Sequence, residues 1–286
     1  MQLVNGNEIA DRIKLSVKEK LTTLSSSVGK GPKLVSVMAG DDEEAKIYMN
    51  MQKKAAEEVG IKFATHRLKG DISQEDLVKE IAKLNDDREA TAIIVQKPLP
   101  EGIDHDRVVA SVAPGKDAEG IHPYNLGRIL RREADIVPCT PGAVMKILRV
   151  HKIDLYGREV VIIGHSAIIG KPLSLMMLNE MATTTVCHIA TCDKGHLIGH
   201  AKEADILVVA VGKAGMVRGD WVKEGAVVID VGINKVGGRI AGDVEFSEVS
   251  KKASIITPVP GGVGPVTVSI LMRNVLRAYR TQNVKG

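Results

Sequence analysis

The sequence predicts an α/β protein of two domains, and three observations carry that expectation. The chain has 286 residues, more than the roughly 100–200 usual for one domain. Through its first half, short apolar runs of strand length alternate with longer amphipathic runs, which implies a parallel sheet joined by right-handed crossovers. After Pro138-Cys139-Thr140-Pro141-Gly142 the same alternation starts again.

Taken in order, Lys33 to Ala39 reads as a buried strand, and Glu44 to Val59 as an amphipathic helix closed by Gly60. Lys62 to Leu68 is a second strand. Ser73 to Leu84 is a helix with Ser73 as its N-cap. Thr91 to Val95 is a short strand running into the turn Gln96-Lys97-Pro98-Leu99-Pro100. Beyond the break, Gly142 to Val150 is a helix, Arg158 to Ile163 a strand, Lys171 to Asn179 a helix and Thr184 to Ile189 a strand. Asp205 to Val211, Ala226 to Val231 and Ser254 to Thr257 are three further strands. A loop, Pro258 to Pro265, precedes a terminal helix, Val266 to Tyr279, that is expected to return to the first domain.

Composition narrows the function. Hydrophobic residues make up 44% and charged residues 26%, as in ordinary globular proteins. Aromatics are only 2%, so the core must be aliphatic. The net charge of +4 arises from 39 basic and 35 acidic residues with the signs interspersed, which argues against nucleic acid as a partner. Cys139, Cys187 and Cys192 show no metal-ligand spacing, even with His188 and His196 nearby, so no metal is expected. With no leader and no membrane-length apolar run, a cytoplasmic location is expected.

The best local chemical signal is Gly164-His165-Ser166-Ala167-Ile168-Ile169-Gly170, after a strand and before a helix. Such a turn aims free backbone N–H groups and the positive helix end at an anion. Gly164 permits the tight turn and Gly170 the close approach of helix to strand. Ser166 stands where the middle glycine of the usual fingerprint would be. A ligand-free βα turn and a dinucleotide site both remain open on this motif alone.

Several segments together resemble the methylenetetrahydrofolate dehydrogenase/cyclohydrolase family. They are Tyr48 to Ile61, Val95 to Pro100, Pro114 to Gly120, Pro138 to Pro141, the turn at 164 to 170, Val228 to Asn234, and Thr257 to Pro265, in the family's order. The resemblance implies a three-layer α/β folate-binding domain over residues 1–140, completed by the C-terminal helix 266–286, and a Rossmann-like dinucleotide-binding domain over 141–265. It also implies a cleft where they meet and a homodimer. The reaction implied is oxidation of 5,10-methylenetetrahydrofolate to the 5,10-methenyl form with hydride transfer to nicotinamide. Alternatives are a fully bifunctional enzyme and a hydrolase-only or ligand-binding relative. A shikimate-like substrate is disfavoured, because that class does not share the Tyr48 helix, the Gln96 turn and the Pro258 loop.

By this resemblance Tyr48 stacks on the substrate, Gln96 hydrogen-bonds it, and Pro258, Gly261 and Gly262 line its site. Gly164, His165, Ser166, Gly170, Ile189 and Ile233 contact the cofactor. Five positions depart from the family. Gln52 replaces the catalytic lysine four residues after the tyrosine, and an amide cannot take and release a proton near neutral pH. That predicts a surviving dehydrogenase with weak or absent cyclohydrolase. Glu119 replaces the pterin-binding aspartate, and Lys97 a leucine; a solvated lysine and a substrate-wall residue are both open for Lys97. His165 and Ile189 replace an arginine and a serine suited to the extra phosphate of NADP, so NAD is favoured. Asp230, at a strand end, is left between orienting a ribose and serving a turn.

Overall fold

The computed structural model describes residues 1–284. In chain order its elements are β1 (Gln2–Leu3), α1 (Gly6–Val28), β2 (Lys33–Ala39), α2 (Glu43–Val59), β3 (Lys62–Leu68), α3 (Gln74–Asp86), β4 (Ala92–Val95), α4 (His105–Ser111), α5 (Pro123–Leu130) and α6 (Cys139–Val150). They continue with β5 (Glu159–Ile163), α7 (Gly170–Leu178), β6 (Thr183–Cys187), α8 (Ile189–Asp193), α9 (Leu197–Glu203), β7 (Ile206–Val209), β8 (Val227–Asp230), β9 (Asn234–Val236), β10 (Arg239–Ala241), α10 (Phe246–Val249), β11 (Ile255–Ile256) and α11 (Val263–Asn283). The chain divides into two compact units. One comprises Asp11–Cys139 with the chain from Val268 onward, the other Met1–Ala10 with Thr140–Thr267.

The first unit is a three-stranded parallel sheet in the order β3-β2-β4. β2 lies in the middle and is apolar on both faces, as a strand covered on both sides must be. On one face Val37 packs with Leu77 and Ile81 of α3 and Val108 of α4. On the other, Met38 packs with Ala45 and Met49 of α2. These three layers are the expected ones. α2 forms where expected: Asp42 caps it by accepting from the Ala45 backbone N–H at 2.8 Å, and Gly60 ends it at φ +84°. The last helix contributes from Val268 onward, and its Tyr279 hydroxyl donates to the Lys30 carbonyl. Residues 285 and 286 of the expected terminal helix lie outside the described residues.

The second unit holds a six-stranded parallel sheet in the order β1-β11-β8-β7-β5-β6. β5 is the first strand of the stretch Thr140–Thr267 yet lies between β6 and β7, so the winding reverses there. The crevice at the C-terminal ends of such strands is where open α/β sheets bind ligands. The core is almost wholly aliphatic, from Val161 and Ile163 through Leu207, Val209, Val228 and Ile256.

Four expectations are corrected. The first ten residues, assigned by sequence to the first domain, belong with the second unit, because β1 pairs with β11 through Gln2–Ile255 and Leu3–Ile256. The two units part at Cys139–Thr140, within the expected break, but α6 begins at Cys139 and not at Gly142, Pro141 being tolerated in a first turn whose N–H groups lack partners anyway. Ile189 does not end a strand but opens α8, since β6 stops at Cys187. α11 starts at Val263, inside the expected loop.

Candidate active site

A group of polar side chains converges inside the first unit. α2 buries Ala45, Met49, Gln52, Ala56 and Val59, a spacing that puts them on the face toward the sheet. Gln52 is therefore held in an apolar layer with no exposed surface. Tyr48, one turn earlier, sits at the margin of that face with 38% of its surface open. Gln96 follows β4 directly, and its backbone N–H still donates to the Val37 carbonyl at 2.9 Å, so the sheet fixes its position. Its side-chain nitrogen donates to the Gln52 carbonyl oxygen at 2.8 Å and to the Ser36 hydroxyl at 2.9 Å.

Glu119 is brought to the same place by a clamped loop. The Ala118 backbone N–H donates to the Ile93 carbonyl at 3.0 Å, tying the loop to β4. Buried Asp117 accepts from the backbone N–H groups of Gly120 and His122 and from the Asn125 amide. That makes Asp117 a turn-former. Asn274 on α11 donates to the carbonyls of Ala118 at 3.0 Å and Val137 at 2.8 Å. At Gly120, with φ +74°, any side chain would overlap the Val137 backbone. The loop is thus fixed from both sides.

The electrostatics of the group are unusual for a carboxylate. Burial, and then repulsion from Asp117, push the Glu119 carboxyl up to about 8, with Lys97 opposing. Tyr48 is raised by burial and by its neighbours Cys139 and Glu119, while the Gln52 amide opposes the shift. The ring is open at one face but its hydroxyl lies among these buried groups. Burial and the nearby carboxylates also raise the Cys139 thiol. Lys97 itself is exposed, yet near enough to lower Glu119.

Sequence reasoning missed Ser36, Asn274 and the place of Cys139 in this group. For Ser36 there was a signal: one hydroxyl in the otherwise apolar run Leu34–Ala39. Asn274 gave none, since it lies 155 positions from Glu119 by subtraction and only the fold brings it there.

The other predicted residues lie in the second unit. Gly164 ends β5 at φ +123°, and a Cβ there would strike the Ala210 carbonyl that follows β7. A Cβ on Gly170 would overlap the Gly164 carbonyl oxygen. The Ser166 hydroxyl accepts from the Ile169 N–H at 3.1 Å, leaving the turn closed on itself ahead of α7. This backbone cradle, at the reversal point of the sheet, suits a pyrophosphate. The His165 and His188 rings lie 5.1 Å apart between centroids. Ile189 and Ile233 are exposed, at 72% and 66%.

Pro258, Gly261 and Gly262 form a tight loop before α11. Gly6 donates to the Gly261 carbonyl at 2.9 Å, and a side chain at Gly6 would overlap that loop. Asp230 is buried and accepts from the N–H groups of Gly232, Asp243 and Val244. Burial first, and Asp243 as a like charge, raise it to about 6. Its role is to hold the chain around the β9–β10 hairpin. Among the described residues no three His, Cys, Asp or Glu side chains converge as a metal site, and no helix is long and apolar enough to cross a membrane.

Comparison with known proteins adds an independent line. Residues 4–119 match the family described as tetrahydrofolate dehydrogenase/cyclohydrolase, catalytic domain, and residues 138–283 its NAD(P)-binding domain. The chain is 44% identical, over the full length of both, to the bifunctional protein FolD of a Sulfurihydrogenibium species. The crystal structure of the bifunctional FolD enzyme from Campylobacter jejuni superposes with a TM-score of 0.94 at 42% identity, covering 99% of each chain. The Trypanosoma brucei dehydrogenase-cyclohydrolase, solved with NADP and an inhibitor, superposes with a TM-score of 0.92 at 37% identity, covering 99% of this chain and 98% of that one.

Proposed function

Because the chain belongs to the tetrahydrofolate dehydrogenase/cyclohydrolase family, we propose that it oxidises 5,10-methylenetetrahydrofolate to the 5,10-methenyl form with NAD(P). The observation that carries this reading is the convergence of Tyr48, Gln52, Gln96 and Glu119 in one unit. Tyr48 offers an open ring face for the pterin, Glu119 a carboxyl for its hydrogen-bonding edge, and the paired amides a fixed polar floor. Lys97, exposed near Glu119, is a further substrate contact in this reading, and Pro258, Gly261 and Gly262 are assigned to the substrate by the family resemblance. Gly164, His165, Ser166 and Gly170 would hold the cofactor's pyrophosphate, with Ile189 and Ile233 beside it; the bound cofactor supplies the hydride acceptor. The chain's own residues have little acid-base work in this step. The substrate nitrogens carry the developing cation, so the protein must orient the ring and exclude water.

Hydrolysis of the methenyl bridge asks for more, because protons must move around an attacking water. Gln52 cannot move them, and we assign the chain a weak or absent cyclohydrolase. A fully bifunctional enzyme is the second reading, favoured by Glu119, whose carboxyl near 8 can exchange a proton at neutral pH. NAD is preferred over NADP, because neither His165 nor Ile189 supplies a permanent cation for the extra phosphate. A homodimer through the nucleotide-binding unit is part of the same reading, with a cytoplasmic location; β6, paired with β5 alone, is one of the two edge strands there.

One preparation tests these points together. Methylenetetrahydrofolate oxidation should proceed with NAD at higher kcat/KM than with NADP, and methenyltetrahydrofolate hydrolysis should be near background. No oxidation with either nucleotide would sink the main reading, and brisk hydrolysis would establish the second. Light scattering on the same sample reports the dimer.

A further inference from the structure

Three polar side chains, Ser36, Gln96 and Gln52, join within the layer between β2 and α2. Ser36 lies among Leu34, Val35, Val37 and Met38 and has no exposed surface. The Gln96 amide nitrogen has two hydrogens, and both are used, one on the Ser36 hydroxyl at 2.9 Å and one on the Gln52 carbonyl at 2.8 Å. Gln52 is thereby fixed with its carbonyl toward Gln96. Its own amide nitrogen is fully buried and faces the Tyr48 hydroxyl without a hydrogen bond of normal geometry. A buried donor left so costs about 1–3 kcal/mol, and in native proteins such a group marks strain, a functional role or a bound water.

The direction of this amide chain decides what a ligand meets. Turned over, Gln96 would present its carbonyl to Gln52, which would then spend its N–H there and show its carbonyl to the site. A hydroxyl can accept or donate, so Ser36 anchors the Gln96 amide in place without choosing its direction. We propose that Ser36 is a positioning residue for the folate site: acting through Gln96, it holds the Gln52 side chain in place at the floor of the site, beside the Tyr48 hydroxyl. This rests on the folate reading given above. It adds a residue that touches no substrate yet fixes the place of the amides that do.

Ser36→Thr keeps the hydroxyl, and Ser36→Val has the same shape without it, so their comparison isolates one hydrogen bond. Each is measured alone and with Gln52→Leu, for kcat and KM of methylenetetrahydrofolate oxidation and for calorimetric affinity toward tetrahydrofolate. Ser36→Thr should stay near the parent protein. Ser36→Val should raise the folate KM and weaken tetrahydrofolate binding by about tenfold, with the nucleotide KM changed less than about twofold. With Gln52→Leu the two should become indistinguishable, which a merely structural role for Ser36 would not produce. Equal behaviour of the two single variants, or a difference that persists with Gln52→Leu, overturns the proposal. Should Ser36→Val fail to fold, Ser36→Ala carries the same comparison. A parent protein inactive with both nucleotides defeats the folate reading instead, a separable result.

Discussion

Replacing Glu119 by glutamine should change how stability depends on pH, and the structure gives the size. Burial holds the Glu119 carboxyl at about 8, against an ordinary value of 4.5. The folded state therefore binds this proton more tightly than the unfolded state. Its contribution is fully present below the unfolded value and is lost as pH rises through about 8. A shift of about 3.5 units corresponds to about 5 kcal/mol in total. About 2 kcal/mol of that is gone by pH 6 and nearly all by pH 9. A glutamine side chain keeps the shape and does not titrate. Urea unfolding of both proteins at about pH 6 and about pH 9 gives the difference, in which all other groups cancel. Relative to the parent, Glu119→Gln should gain about 3 kcal/mol over that interval. A constant difference would refute the burial argument, and with it the picture of Glu119 as a largely protonated acid in the ligand-free site.

Four further outcomes are expected. Gln52→Lys should raise methenyltetrahydrofolate hydrolysis at least about tenfold, because it restores a group that can move protons; an unchanged rate in an initial-velocity assay would count against the assignment of Gln52. Gly170→Ala should cost about 1–3 kcal/mol in thermal unfolding and sharply weaken nucleotide binding by fluorescence titration, since its Cβ meets the Gly164 carbonyl. Asn274→Leu strips the buried carbonyls of Ala118 and Val137 of a donor and should cost about 2–5 kcal/mol in urea, raising the folate KM through the Glu119 loop. Asp243→Asn should cost about 2–4 kcal/mol by the same measurement, because the carboxylate accepts from the N–H groups of Val211, Gly212 and Lys213 and from the Asn234 amide, and an amide has only one acceptor oxygen.

The sequence by itself determined the elements whose signals are local. β2, β3 and α2 fall within a residue of their predicted bounds, because apolar periodicity and Gly60 are read from neighbours along the chain. The turn at Gly164–Gly170 was legible for the same reason, and family resemblance picked out Tyr48, Gln52, Gln96 and Glu119. What the tertiary structure alone decided are matters of long-range pairing. Two residues of β1 carry no strand signal until β11 lies beside them. The loop before α11 reads as Gly and Pro punctuation, and the helix nevertheless starts at Val263. Asn274 reaches Ala118, and Ser36 reaches Gln96, only because distant segments pack together, so their polar partners could not be assigned from adjacency. The pKa of Glu119 is of this kind as well: the sequence supplies a carboxylate, and the surrounding fold, by removing water from it, sets when that carboxylate is charged.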